Sequence, residues 1–365
     1  MKPISPKQII LIFSLLLLSC TTLHAQTETF EWQGVMRQYN MHIPAQHADC
    51  MPVMFFLHGL GDNLTHLEQE FNFTQLADDF GWAIVLPQAL NLGIGNMWNV
   101  PGIGSGNVDD EGFIMTLLDT LTVRHNLNPD SVFFTGFSMG GFMTHMLAIK
   151  QGNRITACAP VSGLITTPLA SLTPVAPVRM LHIHGTNDNV VGYNGSSIVF
   201  GSKLGLSVDE IINYWQNANG CSGEPQIDSL PDTHNDGLRF VRYSYNCDTD
   251  LQLLKVIGGT HTWYFSGHDV SYLQIIHDFF TGDNFLSIFE DHDRVPIRIT
   301  PNPTDGVISV ESEHSTEVTL FDMHGRMILQ RHLDAGVSQL DLRHLPSGIY
   351  TLRTQIGETM KVIIN

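Results

Sequence analysis

Cysteine is scarce in this chain, five in 365 residues, and no two have the spacing of a zinc site. Positive charge is scarce too: 18 Lys and Arg stand against 36 Asp and Glu, a formal net charge of −18. Between Gln26 and Glu290, nine basic residues face 26 acidic ones. A body this acidic repels polyanions, which argues against nucleic acid or an anionic polysaccharide as the main partner and leaves neutral or weakly charged molecules. Long apolar runs are missing except for "IILIFSLLLL" (9–18), which is too short and wrongly flanked for a transmembrane anchor. The glycine-rich "GIGSGN" (102–107) lacks the third glycine of a dinucleotide fingerprint, and no strand is expected to lead into it.

What is present starts with that early apolar run. Lys2 and Lys7 precede it and "TTLHAQ" follows, so residues 1–25 read as an export leader with cleavage expected after Ala25. The rival is "LLSC" (17–20), which loosely resembles a lipoprotein box and would attach the chain to lipid through Cys20. Export implies an oxidising compartment in which disulfides persist. Cys221 and Cys247 flank a short, polar, turn-rich excursion and are expected to bridge. Cys158, inside "ITACAPVSG", is expected as a buried free thiol, and Cys50 is open.

Residues 26–285 read as one α/β domain. "TFEWQGVMRQYNMHIP" (29–44) predicts two antiparallel strands, and "VMFFLHG" (53–59) and "WAIVLPQA" (82–89) buried strands. Between those two lies "LEQEFNFTQLADDFG" (67–81), with helical spacing closing on Gly81. "DDEGFIMTLLDTLTVRHNL" (109–127) predicts a helix with Asp109 and Asp110 as caps. Further strands are expected at "SVFFTG", "ITACAPVSG", "VRMLHIHG" and "LQLLKVIGG", and helices at "SVDEIINYWQNA" and "DVSYLQIIHDFF". Apolar runs alternating with amphipathic helices give a mostly parallel sheet covered on both faces, whose functional residues collect beyond the carboxyl ends of strands. A polar linker (286–296) then leads to short alternating segments between Gly, Pro and Asn turns (297–365), a small all-β sandwich.

The stretch "SVFFTGFSMGGFMTHMLAIK" (131–150) carries the chemistry. It is a strand, a Gly-Phe-Ser-Met-Gly turn and a helix, the arrangement that exposes Ser138 as a nucleophile on a strained elbow. Such a serine needs a histidine to take its proton and an acid to orient that histidine, in the chain order serine, acid, histidine. "MLHIHGTNDNVVGY" supplies Asp188 after a strand, and "LLKVIGGTHTWYF" supplies His261 after the next. Oxyanion donors are expected from the amides of Met139 and of Leu60 in "FLHGLGDN". Trp98, in the loop "NMWNVPGIGSGNVDD" expected to cover a pocket, and Tyr193 and Trp263 are candidate aromatic walls. His182 and His184 alternate on a strand; with no acidic or cysteine partner at matching spacing, they are expected to be structural rather than metal ligands.

Taken together, "LHGLGDN", "VDDEGFI", "TGFSMGGFM", "APVSG", "LHIHGTNDNVV", "NGC" and "GGTHTW" resemble the secreted polyhydroxybutyrate depolymerase and feruloyl esterase-like family of the α/β-hydrolase superfamily, from about Phe30 to Phe280. The resemblance implies a triad on Ser138, Asp188 and His261, oxyanion amides on Leu60 and Met139, and no metal or cofactor. It also implies an ester substrate, either hydroxycinnamic or acetic esters on plant polysaccharides or a polyester chain. The loop after Trp98 lacks the cysteines often found there in relatives. "ITPNPTDGVISV" to "MKVIIN" resembles the C-terminal sorting domain of the type IX secretion system of Bacteroidetes, which implies that secretion machinery as a partner. Two rivals keep the scaffold: a peptidase of the prolyl oligopeptidase type, and a surface-binding protein without activity.

Overall fold

Runs such as "MPVMFFL" cannot leave one face in water, and the chain hides both faces of them. The computed structural model describes residues 27–282 and 298–365, apart from 46, 48, 104–107, 199–202, 235, 265–268, 313–314, 322–326 and 355–358. The expected leader, Cys20 and the linker lie outside the described residues. The chain divides into two units, one ending at Asp283 and one starting at Asn284.

Among the described residues the first unit holds ten strands: β1 (Glu28–Trp32), β2 (Val35–His42), β3 (Met51–Leu57), β4 (Ala83–Pro87), β5 (Leu127–Phe137), β6 (Ala157–Val161), β7 (Arg179–Gly185), β8 (Gln226–Ser229), β9 (Arg239–Tyr245) and β10 (Leu251–Ile257). They form one sheet in the order β1-β2-β4-β3-β5-β6-β7-β10-β9-β8. The central run from β4 to β10 is parallel. Antiparallel pairs finish both edges. The helices are α1 (Leu64–Glu70), α2 (Phe73–Phe80), α3 (Asp110–His125), α4 (Met139–Gln151), α5 (Thr167–Ala170), α6 (Val208–Ala218) and α7 (Tyr272–Thr281). This is the α/β-hydrolase fold.

Two local expectations need correction. The single helix expected over 67–81 is broken into α1 and α2, because Phe71 turns extended and the Asn72 side chain accepts the amide of Gln75 as a new N-cap. Phe71 and Phe73 then both reach Phe56, with ring centroids 5.0 and 5.3 Å away. The strands β8 and β9 were not foreseen; β8 is short and largely exposed, and neither shows the continuous apolar run of the central strands. Cys221, just after α6, and Cys247, just after β9, form a disulfide, while Cys158 is a buried free thiol and Cys50 an exposed one.

The second unit has β11 (Arg298–Thr300), β12 (Val307–Ser312), β13 (Thr316–Phe321), β14 (Met327–Leu333), β15 (Gly336–Asp341), β16 (Gly348–Thr354) and β17 (Thr359–Ile364). They make a three-stranded sheet, β11-β12-β15, and a four-stranded one, β14-β13-β16-β17. Ile308, Val310 and Leu340 from the first share a core with Val318, Leu352 and Val362 from the second. Alternate residues of both sheets point inward, which makes a sandwich.

Candidate active site

Ser138 sits where β5 turns into α4, with φ 54° and ψ −116°. A side-chain-bearing residue rarely adopts that backbone, and here its neighbours enforce it. A Cβ on Gly136 would stand 2.7 Å from the Gly140 backbone, and one on Gly140 would run into the Leu57 carbonyl. The Ser138 amide is tied to the Val161 carbonyl at 2.9 Å. Glycine on both sides therefore lets helix and strand close up, and the serine is thrust out at the tip.

The loops after β7 and β10 bring the other two residues to it. Ser138 Oγ lies 2.9 Å from His261 Nε2, and His261 Nδ1 lies 2.7 Å from Asp188 Oδ2. Asp188 Oδ1 accepts the amides of Val190 and Val191 at 3.0 and 2.8 Å. Burial works against ionising this carboxyl, but the bond from His261, the charge His261 can carry and the Val191 amide outweigh it, and its pKa is lowered. The three expected side chains thus form one hydrogen-bonded line.

Leu60 and Met139 border the same cavity, of about 590 Å³, as Ser138 and His261. Met139 is the first residue of α4, where helix geometry provides no partner for the amide. Sequence reasoning missed what holds the Leu60 loop. His58 is fully buried; its Nδ1 donates to the Gly59 carbonyl at 2.7 Å, and its Nε2 accepts the Ala89 amide at 3.0 Å. Burial pushes its pKa down to about 4, so the ring is neutral, as these two bonds require. The "HG" pair was a visible signal, but the role of its histidine was not.

Two of the three aromatic walls, Trp98 and Tyr193, need correction. Trp98 has no exposed surface; its Nε1 donates to the His58 carbonyl at 3.0 Å, so it lies beneath the Leu60 loop rather than in the cavity. The expected cover is likewise packed at its start: the Asn99 amide donates to Asp110 at 2.7 Å, and 104–107 fall outside the described residues. Asp109 caps α3 as expected, but Asp110 does not; it is buried in an ion pair with Arg37 at 2.6 Å. Tyr193 stands edge-on to His184, with Lys255 over its ring, and is not part of the cavity wall. Trp263 lines a second cavity of about 270 Å³, which shares Gly59, Asp62, His66, Phe137 and His261 with the first. His182 and His184 lie in the core, joined to His145, which the sequence did not single out. Among the described residues no cluster of three or more His, Cys, Asp or Glu is arranged to hold a metal.

Residues 37–191 match the family "Esterase PHB depolymerase", and residues 298–365 match "Secretion system C-terminal sorting domain". The bifunctional acetylxylan esterase/xylanase XynS20E of Neocallimastix patriciarum is 29% identical over 44% of this chain, which spans 23% of that protein. Feruloyl esterase D of Neurospora crassa is 27% identical over 66% of this chain and 79% of its own length. Among solved structures, an acetyl xylan esterase from Aspergillus awamori shares the fold, with TM-score 0.53 and 14% identity over 71% of this chain and 99% of that one. The sorting domain implies type IX secretion machinery as a partner and makes this an exported protein, secreted or held at the cell surface. Among the described residues no helix is long and apolar enough to cross a membrane.

Proposed function

We propose that this chain, which carries an esterase PHB depolymerase domain and a secretion-system sorting domain, is a serine carboxylic ester hydrolase acting on feruloyl or acetyl esters of plant cell-wall polysaccharide. The observation that carries the reading is the unbroken line Ser138–His261–Asp188 at the wall of a largely apolar cavity. The catalytic domain is taken as 26–285, the linker as 286–296 and the sorting domain as 297–365, following a leader at 1–25.

The chemistry follows from donors and acceptors. Ser138 Oγ attacks the ester carbonyl carbon as its proton passes to His261 Nε2, and Asp188 stabilises the imidazolium formed. The amides of Leu60 and Met139 hold the negative oxygen of the tetrahedral adduct. The adduct collapses, His261 returns the proton to the departing alcohol oxygen, and an acyl ester remains on Ser138. Water, deprotonated by His261, attacks that ester; the acid leaves, and Ser138 regains its proton. No step draws on a metal or cofactor.

A second reading, hydrolysis of poly(3-hydroxybutyrate) or another polyester, is favoured by the description of the matching family. The two separate on one experiment: product release from methyl ferulate and from a 3-hydroxybutyrate oligomer, with Ser138→Ala as blank. Ferulate release alone supports the cell-wall reading, and hydroxybutyrate release alone moves the enzyme to polyesters. If neither exceeds the blank, acetylated xylan is the deciding substrate, and no release from it sinks the ester-hydrolase reading.

A further inference from the structure

Behind the acid loop runs a line of buried rings that the proposed reaction does not use. Trp215 Nε1 on α6 donates to His145 Nδ1 on α4 at 3.4 Å. His145 Nε2 meets His182 Nδ1 at 3.2 Å, and His182 Nε2 meets His184 Nδ1 at 3.3 Å, both on β7. His184 Nε2 ends the line on the Val191 carbonyl at 2.8 Å. All four side chains have no exposed surface. The Val191 amide in turn donates to Asp188 Oδ1, and Val190 and Val191 both line the larger cavity.

The proton positions along this line have one solution. An indole N–H only donates and a carbonyl only accepts, so every ring between them must receive at Nδ1 and give from Nε2. Three neutral imidazoles satisfy all four bonds. A proton added to His184 would set its Nδ1–H against the N–H of His182, and any reversal to relieve that clash travels back to Trp215, which cannot accept. His184 Nε2 also lies 3.6 Å from Asp188 Oδ2, the oxygen that His261 uses. Besides His182, the charged or titratable groups facing His184 are Asp188 and His261 from the two site loops, Tyr193 edge-on, and Lys255, its register partner on β10, which lies over the Tyr193 ring. Burial holds all three relay rings below the ordinary histidine value.

We infer that Trp215, His145, His182 and His184 form a tautomer-locked relay that positions the Val191–Asp188 segment and keeps His184 uncharged, so that the charge of Asp188 serves His261 alone. His184 is a positioning residue in this scheme; it touches no substrate. The relay also ties α4, the helix that Ser138 caps, to the loop that carries Asp188. The inference rests on reading Ser138, His261 and Asp188 as the triad, but its first test does not.

That test is NMR of the protein labelled with ¹⁵N-histidine, the three rings assigned from His145→Gln, His182→Gln and His184→Gln. The expected result is three neutral Nε2–H rings that do not titrate from about pH 5 to about pH 8. A titrating His184, or an Nδ1–H tautomer in any of the three, overturns the inference. The second test is kinetic. His184→Leu removes the N–H given to Val191 and is expected to lower kcat about tenfold with KM changed less than about twofold. The acid limb of its kcat/KM should move to lower pH, because a displaced Asp188 no longer favours the imidazolium. His184→Gln retains an N–H near the same place and should recover most of kcat and the original limb. A folded His184→Leu with unchanged kcat and limb overturns the positioning role, and so does a Gln variant as slow as Leu. Should His184→Leu not fold, Trp215→Phe replaces it: loss of the fixed donor should give mixed tautomers at His145, and unchanged rings would overturn the relay. Locked rings in a protein that cleaves no ester would sink the esterase reading and leave the relay standing.

Discussion

At the scale of single residues, the site depends on a few atoms whose alternatives are shut off by their neighbours. Ser138→Ala removes the proposed nucleophile while keeping the elbow, and should lower kcat by about 10⁴-fold or more on whichever ester is cleaved, with an unchanged melting curve. Trp98→Phe deletes one N–H, the one that holds the His58 carbonyl beneath the Leu60 loop. A buried acceptor left unpaired costs about 1–3 kcal/mol. Because the loop carries a proposed oxyanion donor, kcat should fall more than KM rises; equal changes in the two would mean that Trp98 acts on binding after all. The hydrogen-bonded line of Ser138, His261 and Asp188, the proposed triad, was legible because each member follows a strand in the order that such chemistry demands. The placement of Trp98 was not, since a tryptophan in a glycine-rich loop carries no sign of which way its ring turns.

At the scale of elements, legibility followed burial. The central strands were visible because a strand covered on both faces must be apolar throughout, as β4 and β6 are. The edge strand β8 and its neighbour β9 are interrupted by polar residues and gave no such signal. Asn72 broke a helical pattern by capping it, a choice that apolar spacing does not encode. The relay was invisible for a similar reason: His145 and His182 are 37 positions apart, and nothing in their spacing marks them as partners. The joint between β2 and α3 offers a direct test. Arg37 and Asp110 are both buried there, the guanidinium 3.9 Å above the Phe113 ring, and Asp110 also holds the Asn99 amide. Asp110→Ala strands a buried cation and should cost about 3–5 kcal/mol in urea unfolding. Arg37→Met with Asp110→Leu should recover much of that stability but not the hold on the loop after Trp98, so activity should stay low in the double variant.

At the scale of the whole molecule, the core of the first unit carries an unusual number of neutral imidazoles. Burial holds the pKa of His58 down to about 4 and that of His145 to about 3, with His182 and His184 lowered as well. An unfolded chain would protonate all four near pH 6.5, so as pH falls below that value the unfolded state binds protons that the folded state refuses. Stability is therefore full above about pH 6.5 and declines toward about pH 4, by up to about 1.4 kcal/mol per pH unit for each ring. Thermal melts across that window check the sign, and a flat profile would show that the rings are not the titrating groups. A consequence follows for the enzyme at work. Each ester cleaved releases a carboxylic acid, so a dense substrate acidifies the fluid around it. In poorly buffered surroundings the product would then wear down the fold that made it, because the buried rings give the unfolded chain the advantage as acid accumulates, and dilution would restore the margin.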